Sequence, residues 1–254
     1  MLAGAHAEAH EAGYGVDILS PEGGAEGRTQ RLLELADAGL VEGVLCFAPL
    51  EANGLDSIRG DLTVVVADEY DDEMRGTGLI TDASPLVNLV QGLAAMGHRR
   101  FFHIAGTPDF ASARARVKLF LDTLKRLGLD SCGVHQGDFT AQSGIDAVQS
   151  FSSSDPPTAV IAANDLVATG VIRGAHERGW SVPHDLSVTG WDNVEPAQFM
   201  VPSLTSVDVK LELVGRFSMA RLIAALRGES PPELTTPMHE VFWRESTAPP
   251  RSQR

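Results

Sequence analysis

Polar side chains follow several of the short apolar runs in this sequence. Asp68 follows "VVVA", Asp138-Phe139 follows "GVHQG", Asn164 follows "VIAA" and Asp192 follows "SVTGW". Carboxylates accept hydrogen bonds from hydroxyl groups, amides donate and accept them, and an aromatic ring offers an apolar face. If the runs are neighbouring parallel strands, their carboxyl ends meet at one edge of a sheet, where ligands bind. The pattern therefore predicts a polar pocket with one aromatic face.

Each of these residues also has a purely structural interpretation. Asn164 and Asp165 are residue types that cap helix N-termini, Asp192 suits a turn, and Phe139 suits a hydrophobic core. Arg116 is a rigid fork of donors able to grip a polar ring, but its basic neighbours in the sequence are equally typical of a solvated helix face. At this level both interpretations stay open.

The apolar runs belong to one alternating pattern. Runs rich in Val and Ile, such as "GVDIL", "VEGVLCFA", "LTVVVAD" and "RRFFHIAG", alternate with helix-like stretches such as "TQRLLELADAG" and "ARVKLFLDTLKRLG". This alternation predicts an α/β fold in which crossover helices join the strands of parallel sheets. Four predicted helices stop at a glycine, as a left-handed cap requires: Gly39, Gly97, Gly128 and Gly179.

Charge and composition limit the function classes. Twenty Lys and Arg against 34 Asp and Glu give a net charge of −14, so this chain alone is not expected to bind DNA phosphates. The sequence has no apolar stretch of about 18 residues, and its first residues lack the pattern of a signal peptide. Two cysteines, Cys46 and Cys132, are too few for a disulfide scaffold and suit a reducing cytosol. These features predict a cytoplasmic protein without a membrane span.

Metal, cofactor and enzyme signals are weak. His6 and His10 lie one helical turn apart, but no third metal ligand is evident near them. Ser112 and Ser187 lack the G-x-S-x-G turn of a hydrolase nucleophile. We therefore expect no metal, no cofactor and no enzymatic activity.

An ordered set of motifs carries a family resemblance. The stretch "AANDLVATGVIRGAHERGWSVPHDLSVTGWDN", followed by "VPSLTSV" and "VFWREST", resembles the effector-binding core of the lactose-repressor (LacI/GalR) family of bacterial transcription regulators. The earlier stretch "MGHRRFFHIAGTPDFASARARVKLFLDTL" is similar too, and the match runs from about Gly13 to Thr247. The resemblance implies two doubly wound parallel-sheet subdomains like those of type I periplasmic sugar-binding proteins, with three crossovers and an effector in the cleft between them.

The resemblance also implies boundaries. The N-subdomain is expected at residues 1–80 plus 210–237, and the C-subdomain at residues 81–209 plus 238–250, with residues 251–254 as a tail. The crossovers are then expected near Ile80, Val209 and Pro237.

By the same resemblance, five residues fall on the effector-contacting positions of the family: Asp68, Arg116, Phe139, Asn164 and Asp192. A carboxylate facing an arginine beside an aromatic ring suits a sugar or a sugar-like polyol, and a purine is the second choice. Trp191 stands where the family often has a tyrosine, and Leu211 where an aromatic side chain reaches the ligand.

The resemblance implies a homodimer that reads DNA through another domain. Family members pair side by side, and the apolar segment Phe199, Met200 and Val201 is the candidate contact. Ligand closure is expected to change the spacing of two DNA-reading heads by rigid-body rotation. The family's N-terminal helix-turn-helix of roughly 60 residues, its hinge helix and its first strand have no counterpart here, so we expect about 80 further residues to be encoded upstream of Met1.

The sequence is thus interpreted as the ligand-sensing and dimerisation core of a LacI-type regulator, whose operator binding depends on a helix-turn-helix that this chain lacks. The alternative is a sugar-binding protein of an uptake system, which has the same fold and needs an export signal instead. An enzyme on a doubly wound fold is the third class, and the sequence offers no nucleophile for it.

Overall fold

The computed structural model describes residues 1–51, 54, 62–66, 82–233 and 238–251. Its internal contacts divide the chain into two units. Unit 1 comprises Met1–Thr81 and Lys210–Met238, and unit 2 comprises Asp82–Val209 and His239–Arg254. Of the expected crossover positions, Ile80 and Pro237 lie outside the described residues.

Helices and strands alternate along the described chain. The order is α1 Leu2–Glu11, α2 Gly24–Ala38, β1 Gly43–Cys46, β2 Thr63–Val66, α3 Ser84–Ala95, β3 Arg100–Ala105, α4 Ala111–Leu127, β4 Asp130–Gln136, α5 Ala141–Ser150, β5 Ala159–Ala162, α6 Asp165–Glu177, β6 Ser187–Trp191, a 3₁₀ turn at Glu195–Phe199, β7 Thr205–Asp208, α7 Leu211–Arg227 and β8 Glu240–Phe242. The residues at the four predicted stops have φ of 60°, 107°, 63° and 73°, so the left-handed glycines at the helix ends are confirmed.

In the described part of unit 1, a short sheet accompanies helices α1, α2 and α7. β1 and β2 pair in parallel, with Gly43 opposite Thr63 and Cys46 opposite Val66. Helix α1 packs on α7, where Ala5 and Ala9 form a small core with Met219, Leu222 and Ile223.

The predicted strand "GVDIL" is wrong. Residues 15–19 have no strand structure, and Ile18 and Leu19 are 62% and 49% exposed. A strand exists only where a neighbour takes its backbone hydrogen bonds. Within the described residues β1 pairs only with β2, and no strand pairs with this segment.

Unit 2 is built on a six-stranded sheet with the order β4-β3-β5-β6-β7-β8. The first five strands run in parallel, and β8 joins the edge antiparallel to β7. Numbered within unit 2, the parallel order is 2-1-3-4-5, a doubly wound arrangement in which ligands bind beyond the carboxyl ends of the strands.

Helices cover both faces of this sheet. Phe102, Ile104 and Val188 point into a core shared with α5 and α6. Side chains alternate across a strand, so His103 points to the opposite face, where its ring lies 5.3 Å from that of Phe120 on α4. The two layers fix the strand ends that carry the predicted site.

No helix within the described ranges combines the length and apolar character needed to cross a bilayer.

Candidate functional site

The chain turns sharply where β6 ends. Asp192 and Asn193 have φ of 94° and 48°, in the left-handed region that residues other than glycine rarely adopt. Such conformations cost about 1–3 kcal/mol each and persist only where surrounding contacts hold them. The amide N–H of Asp192 donates to the carbonyl oxygen of Val207 at 2.8 Å, which closes the ladder between β6 and β7. Asp192 therefore lies at the strand end, in a turn that needs support.

The carboxylate of Asp165, the first residue of α6, supports this turn. Its Oδ2 accepts the amide N–H of Val194 at 2.8 Å, and its Oδ1 accepts the hydroxyl of Ser206 at 2.5 Å. The oxygen of Ser206 in turn accepts the amide N–H of Asn193 at 3.1 Å. The backbone N–H groups of residues 192, 193 and 194 thus each donate a hydrogen bond to a fixed acceptor.

Asp165 reaches the turn because residue 190 is a glycine. A Cβ on Gly190 would overlap Oδ1 of Asp165. Asp165 is only 3% exposed. Burial raises the pKa of its carboxyl to about 6, and the nearby charge of Asp192 adds to this while the hydrogen bonds it accepts oppose it. Asp165 is therefore mostly ionised at neutral pH and loses its charge as the pH falls below about 6.

Arg116 is buried against the last residue of β6. It is 8% exposed, and its guanidinium carbon lies 3.9 Å from the centroid of the Trp191 ring. Its Nη1 donates to the carbonyl oxygen of Ala163 at 2.8 Å. The interpretation of Arg116 as a solvated surface arginine is wrong. The ring face and the carbonyl together set the plane of its donor fork.

Arg116 and Asp192 act on each other electrostatically. Burial raises the pKa of the Asp192 carboxyl, and the positive charge of Arg116 opposes that rise. At the carboxyl end of β6, the partly buried carboxylate of Asp192 therefore offers acceptors, and the guanidinium of Arg116, stacked on Trp191, offers donors. These two groups complement hydroxyls that both donate and accept.

Phe139 and Asn164 are tied into the scaffold beside this pair. Phe139 has φ of 67°, and its ring lies against Gly106, where a Cβ would overlap it. Its ring also meets that of Phe110 edge to face at 5.6 Å. Asn164 caps α6 by accepting the amide N–H of Val167 at 2.8 Å, which confirms its capping role. Its Nδ2 donates to the carbonyl oxygen of Phe139 at 3.4 Å, so the two residues are linked.

The remaining predicted residues are Asp68 and the apolar segment Phe199, Met200 and Val201. Asp68 is outside the described residues. Phe199 and Val201 are 73% and 94% exposed, an unusual degree for such side chains. The sulfur of Met200 lies 3.9 Å from the hydroxyl of Thr169, which places this apolar segment beside α6.

Sequence reasoning did not predict the contacts of Ser206, Asp165 and His103. No sequence pattern pointed to Ser206. No pattern indicated that Asp165 supports a turn that lies 27 residues later in the chain. His103 was detectable as a polar residue inside the apolar run "FFHIA". Its Nδ1 lies 2.8 Å from the carbonyl oxygen of Ile161, and burial, with the charge of Arg116, lowers its pKa to about 4. His103 is therefore neutral at physiological pH.

The part of the chain that the structure describes contains no group of three or more His, Cys, Asp or Glu residues able to hold a metal ion.

Comparison with known proteins assigns the chain to one family. A model of the periplasmic binding protein-like domain matches residues 90–247. The repressor CytR of Escherichia coli K12 is 31% identical over 185 residues, which are 71% of this chain and 54% of that protein. The lactose operon repressor of the same strain is 32% identical over 142 residues, 56% of this chain and 39% of that protein.

Solved structures agree with the sequence relatives. A LacI-family transcriptional regulator from Mycobacterium smegmatis matches with a TM-score of 0.80 and 26% identity, covering 98% of this chain and 93% of that one. The chain belongs to the periplasmic binding protein-like family, among the effector-binding cores of the LacI/GalR repressors. The chain spans about half the length of CytR, and that match covers 71% of the chain.

Proposed function

We propose that this chain is the effector-binding and dimerisation core of a LacI-type transcriptional regulator, and that it binds a small sugar-like effector through unit 2. The observation that carries the proposal is the pair formed by Asp192 and Arg116 at the end of β6. One offers acceptors in a supported turn, and the other offers donors in a plane fixed by Trp191.

A polyhydroxylated ligand suits this pair physically. A carboxylate that loses its water must be fully hydrogen-bonded, and two adjacent hydroxyls satisfy both of its oxygens. The ring of Phe139 supplies an apolar surface for the C–H face of a sugar, and the side-chain amide of Asn164 donates to the backbone carbonyl oxygen of Phe139. By family resemblance, Asp68 completes the set. A purine is the second candidate, because an arginine, an aromatic ring and an aspartate also bind a heterocycle.

The role in regulation rests on the relatives and on charge. Relatives such as CytR are helix-turn-helix transcriptional repressors. With a net charge of −14 this chain repels DNA phosphates, so operator binding belongs to a helix-turn-helix outside this sequence. The protein acts in the cytoplasm as a ligand-controlled switch, not as an enzyme and not as a carrier for uptake.

A thermal-shift screen tests the effector. The wild-type chain, Asp192→Asn and Asp192→Ala are each mixed with glucose, galactose, ribose, glucose 6-phosphate, hypoxanthine and cytidine. Asp185→Asn is the matched control, since Asp185 is a carboxylate of unit 2 that accepts the backbone amide N–H of Ser181 at 2.8 Å and is not among the candidate site residues.

At least one of the sugars should raise the melting temperature of the wild type and of the control. Loss of two charge-assisted hydrogen bonds, about 1.5–3 kcal/mol each, should weaken binding to Asp192→Ala by more than about tenfold. A sugar that stabilises wild type and both Asp192 variants equally contradicts the role of this aspartate. If hypoxanthine alone stabilises the chain, the effector is a purine and not a sugar. If none of the compounds stabilises the chain, the proposed effector class is wrong.

A further inference from the structure

We propose that Asp165 is a positioning residue for Asp192: its ionised carboxylate, acting on Val194 and through Ser206 on Asn193, holds the turn that aims the Asp192 side chain. The inference rests on the proposed function only in giving Asp192 an effector to bind. The positioning itself depends on contacts within unit 2.

The turn has little intrinsic stability. Its two successive left-handed residues, Asp192 and Asn193, are not glycines, so the unconstrained chain would relax to another conformation. Three hydrogen bonds oppose this. The amide N–H groups of residues 192, 193 and 194 donate to Val207, Ser206 and Asp165, respectively. Two of the three depend on the carboxylate of Asp165, one directly and one through the Ser206 hydroxyl that it orients.

The charge on Asp165 matters because both of its oxygens act as acceptors. Protonation converts one oxygen into a donor. A donor facing the Val194 amide leaves two donors opposed, and a donor facing Ser206 forces that hydroxyl to turn away from its present bond. In either case an amide of the turn loses a charge-assisted acceptor, which is about twice as strong as a neutral one.

Burial and the charged groups around the carboxylate set the pH at which Asp165 is protonated. Burial favours the neutral form most strongly and the charge of Asp192 adds to it, whereas Arg116 acts on Asp192. From the C-terminal segment, Arg244 Nη2 donates to Asn193 Oδ1 at 2.7 Å. The folded pKa of Asp165, about 6, lies above the ordinary value of 3.8, so the folded chain binds this proton more tightly than the unfolded chain does. Ionisation of Asp165 therefore lowers stability as the pH rises from 3.8 to about 6, because the cost of burying the charge exceeds the gain from the hydrogen bonds that the carboxylate accepts.

The test is an NMR titration of backbone amides, which needs no effector. ¹H–¹⁵N spectra of the full chain are recorded from about pH 5 to about pH 8 for the wild type, Asp165→Asn and Asp185→Asn. Asp185 is the matched control because it also accepts a serine amide and hydroxyl, at Ser181, while its pKa is lowered by those bonds.

In the wild type and the control, the amides of Asn193 and Val194 should shift together with an inflection near pH 6. In Asp165→Asn the inflection should vanish and both amides should lie away from their wild-type positions at neutral pH. Amides of 193 and 194 that show no inflection in the wild type, or that keep it in Asp165→Asn, overturn the proposal.

If Asp165→Asn fails to fold, Ser206→Ala decides the question. This variant keeps the direct bond to Val194 and removes the relay to Asn193. The Val194 inflection should remain and the Asn193 inflection should shrink. Equal inflections at both amides contradict the relay and with it the proposal.

Repeating the thermal-shift screen at about pH 5 and about pH 7 separates this inference from the proposed function. A sugar that stabilises the wild type at pH 7 should lose most of its effect at pH 5, and in Asp165→Asn it should be weak at both. An amide inflection without any sugar binding removes the proposed effector and leaves the positioning role intact. Sugar binding that depends on Asp192 but does not change with pH or with Asp165→Asn removes the positioning role and leaves the effector intact.

Discussion

The stack of Arg116 on Trp191 shows how one aromatic residue sets the direction of a charge. Trp191 is 1% exposed, and its indole Nε1 is buried without a hydrogen-bond partner in the described part of the chain. The indole therefore contributes its ring face and its volume, not its N–H. In this chain the residue before Asp192 therefore holds Arg116 by stacking.

Substitution of Trp191 tests this division of roles. Trp191→Phe keeps an aromatic face, and we expect effector affinity to fall by only a few-fold because a cation–π contact of about 0.5–2 kcal/mol is weakened and not lost. Trp191→Leu removes the face and should weaken binding by about tenfold or more. The measurement is the titration of a stabilising sugar from the screen against each variant.

Both substitutions remove buried volume and should lower the free energy of unfolding by about 1–3 kcal/mol. Urea unfolding checks that common cost. Trp191→Phe and Trp191→Leu with equal affinities would show that stacking does not orient Arg116.

Among the helices and strands, local signals were predictable and long-range ones were not. The glycine at each of four helix ends was predicted because a left-handed cap is a demand of the local backbone. The alternation of strands and helices is also a local pattern, and it correctly predicted that Asp192 and Asn164 follow strand ends. The strand "GVDIL" was wrong because strand formation depends on a neighbour, and an apolar run in one sequence does not reveal whether that neighbour is present.

The support of the Asp192 turn was beyond sequence reasoning. The bond between Asp165 and Ser206 joins residues 41 apart in the chain. Either residue alone has an ordinary local explanation, Asp165 as part of a helix start and Ser206 as part of a strand. Only the pairing of β6 with β7 brings them together.

Gly190 offers a test of how closely α6 must approach β6. A Cβ there would overlap Oδ1 of Asp165 and come within 2.9 Å of Leu204 Cδ2. We expect Gly190→Ala to lower the free energy of unfolding by about 1–3 kcal/mol through overpacking. Urea unfolding is the measurement.

Gly15→Ala is the control, because a Cβ on Gly15 meets no atom within 4 Å and its φ is not in the left-handed region. That variant should unfold at the wild-type urea concentration. If Gly190→Ala does so as well, the close approach of Asp165 to β6 is not required.

At the scale of the whole molecule, an acidic surface and an exposed apolar segment point to different partners. The net charge of −14 disfavours the binding of phosphate groups. Against that background, the segment Phe199, Met200 and Val201 exposes two large apolar side chains beside α6, which is costly unless a partner covers them. We propose that a second copy of the chain covers this segment.

A charge placed in the segment should break the dimer. Val201 is 94% exposed, so Val201→Asp is harmless to the isolated chain, but in a dimer it buries an unpaired carboxylate. We expect the dimer to dissociate at a concentration at least about tenfold above that of the wild type, since an unpaired buried charge costs several kcal/mol. Sedimentation equilibrium measures the change.

Leu121→Asp is the matched control, because Leu121 lies on α4 and is 42% exposed without belonging to the segment. A wild type that stays monomeric at the highest soluble concentration, or a control that dissociates as readily as Val201→Asp, contradicts the placement of the interface at this segment.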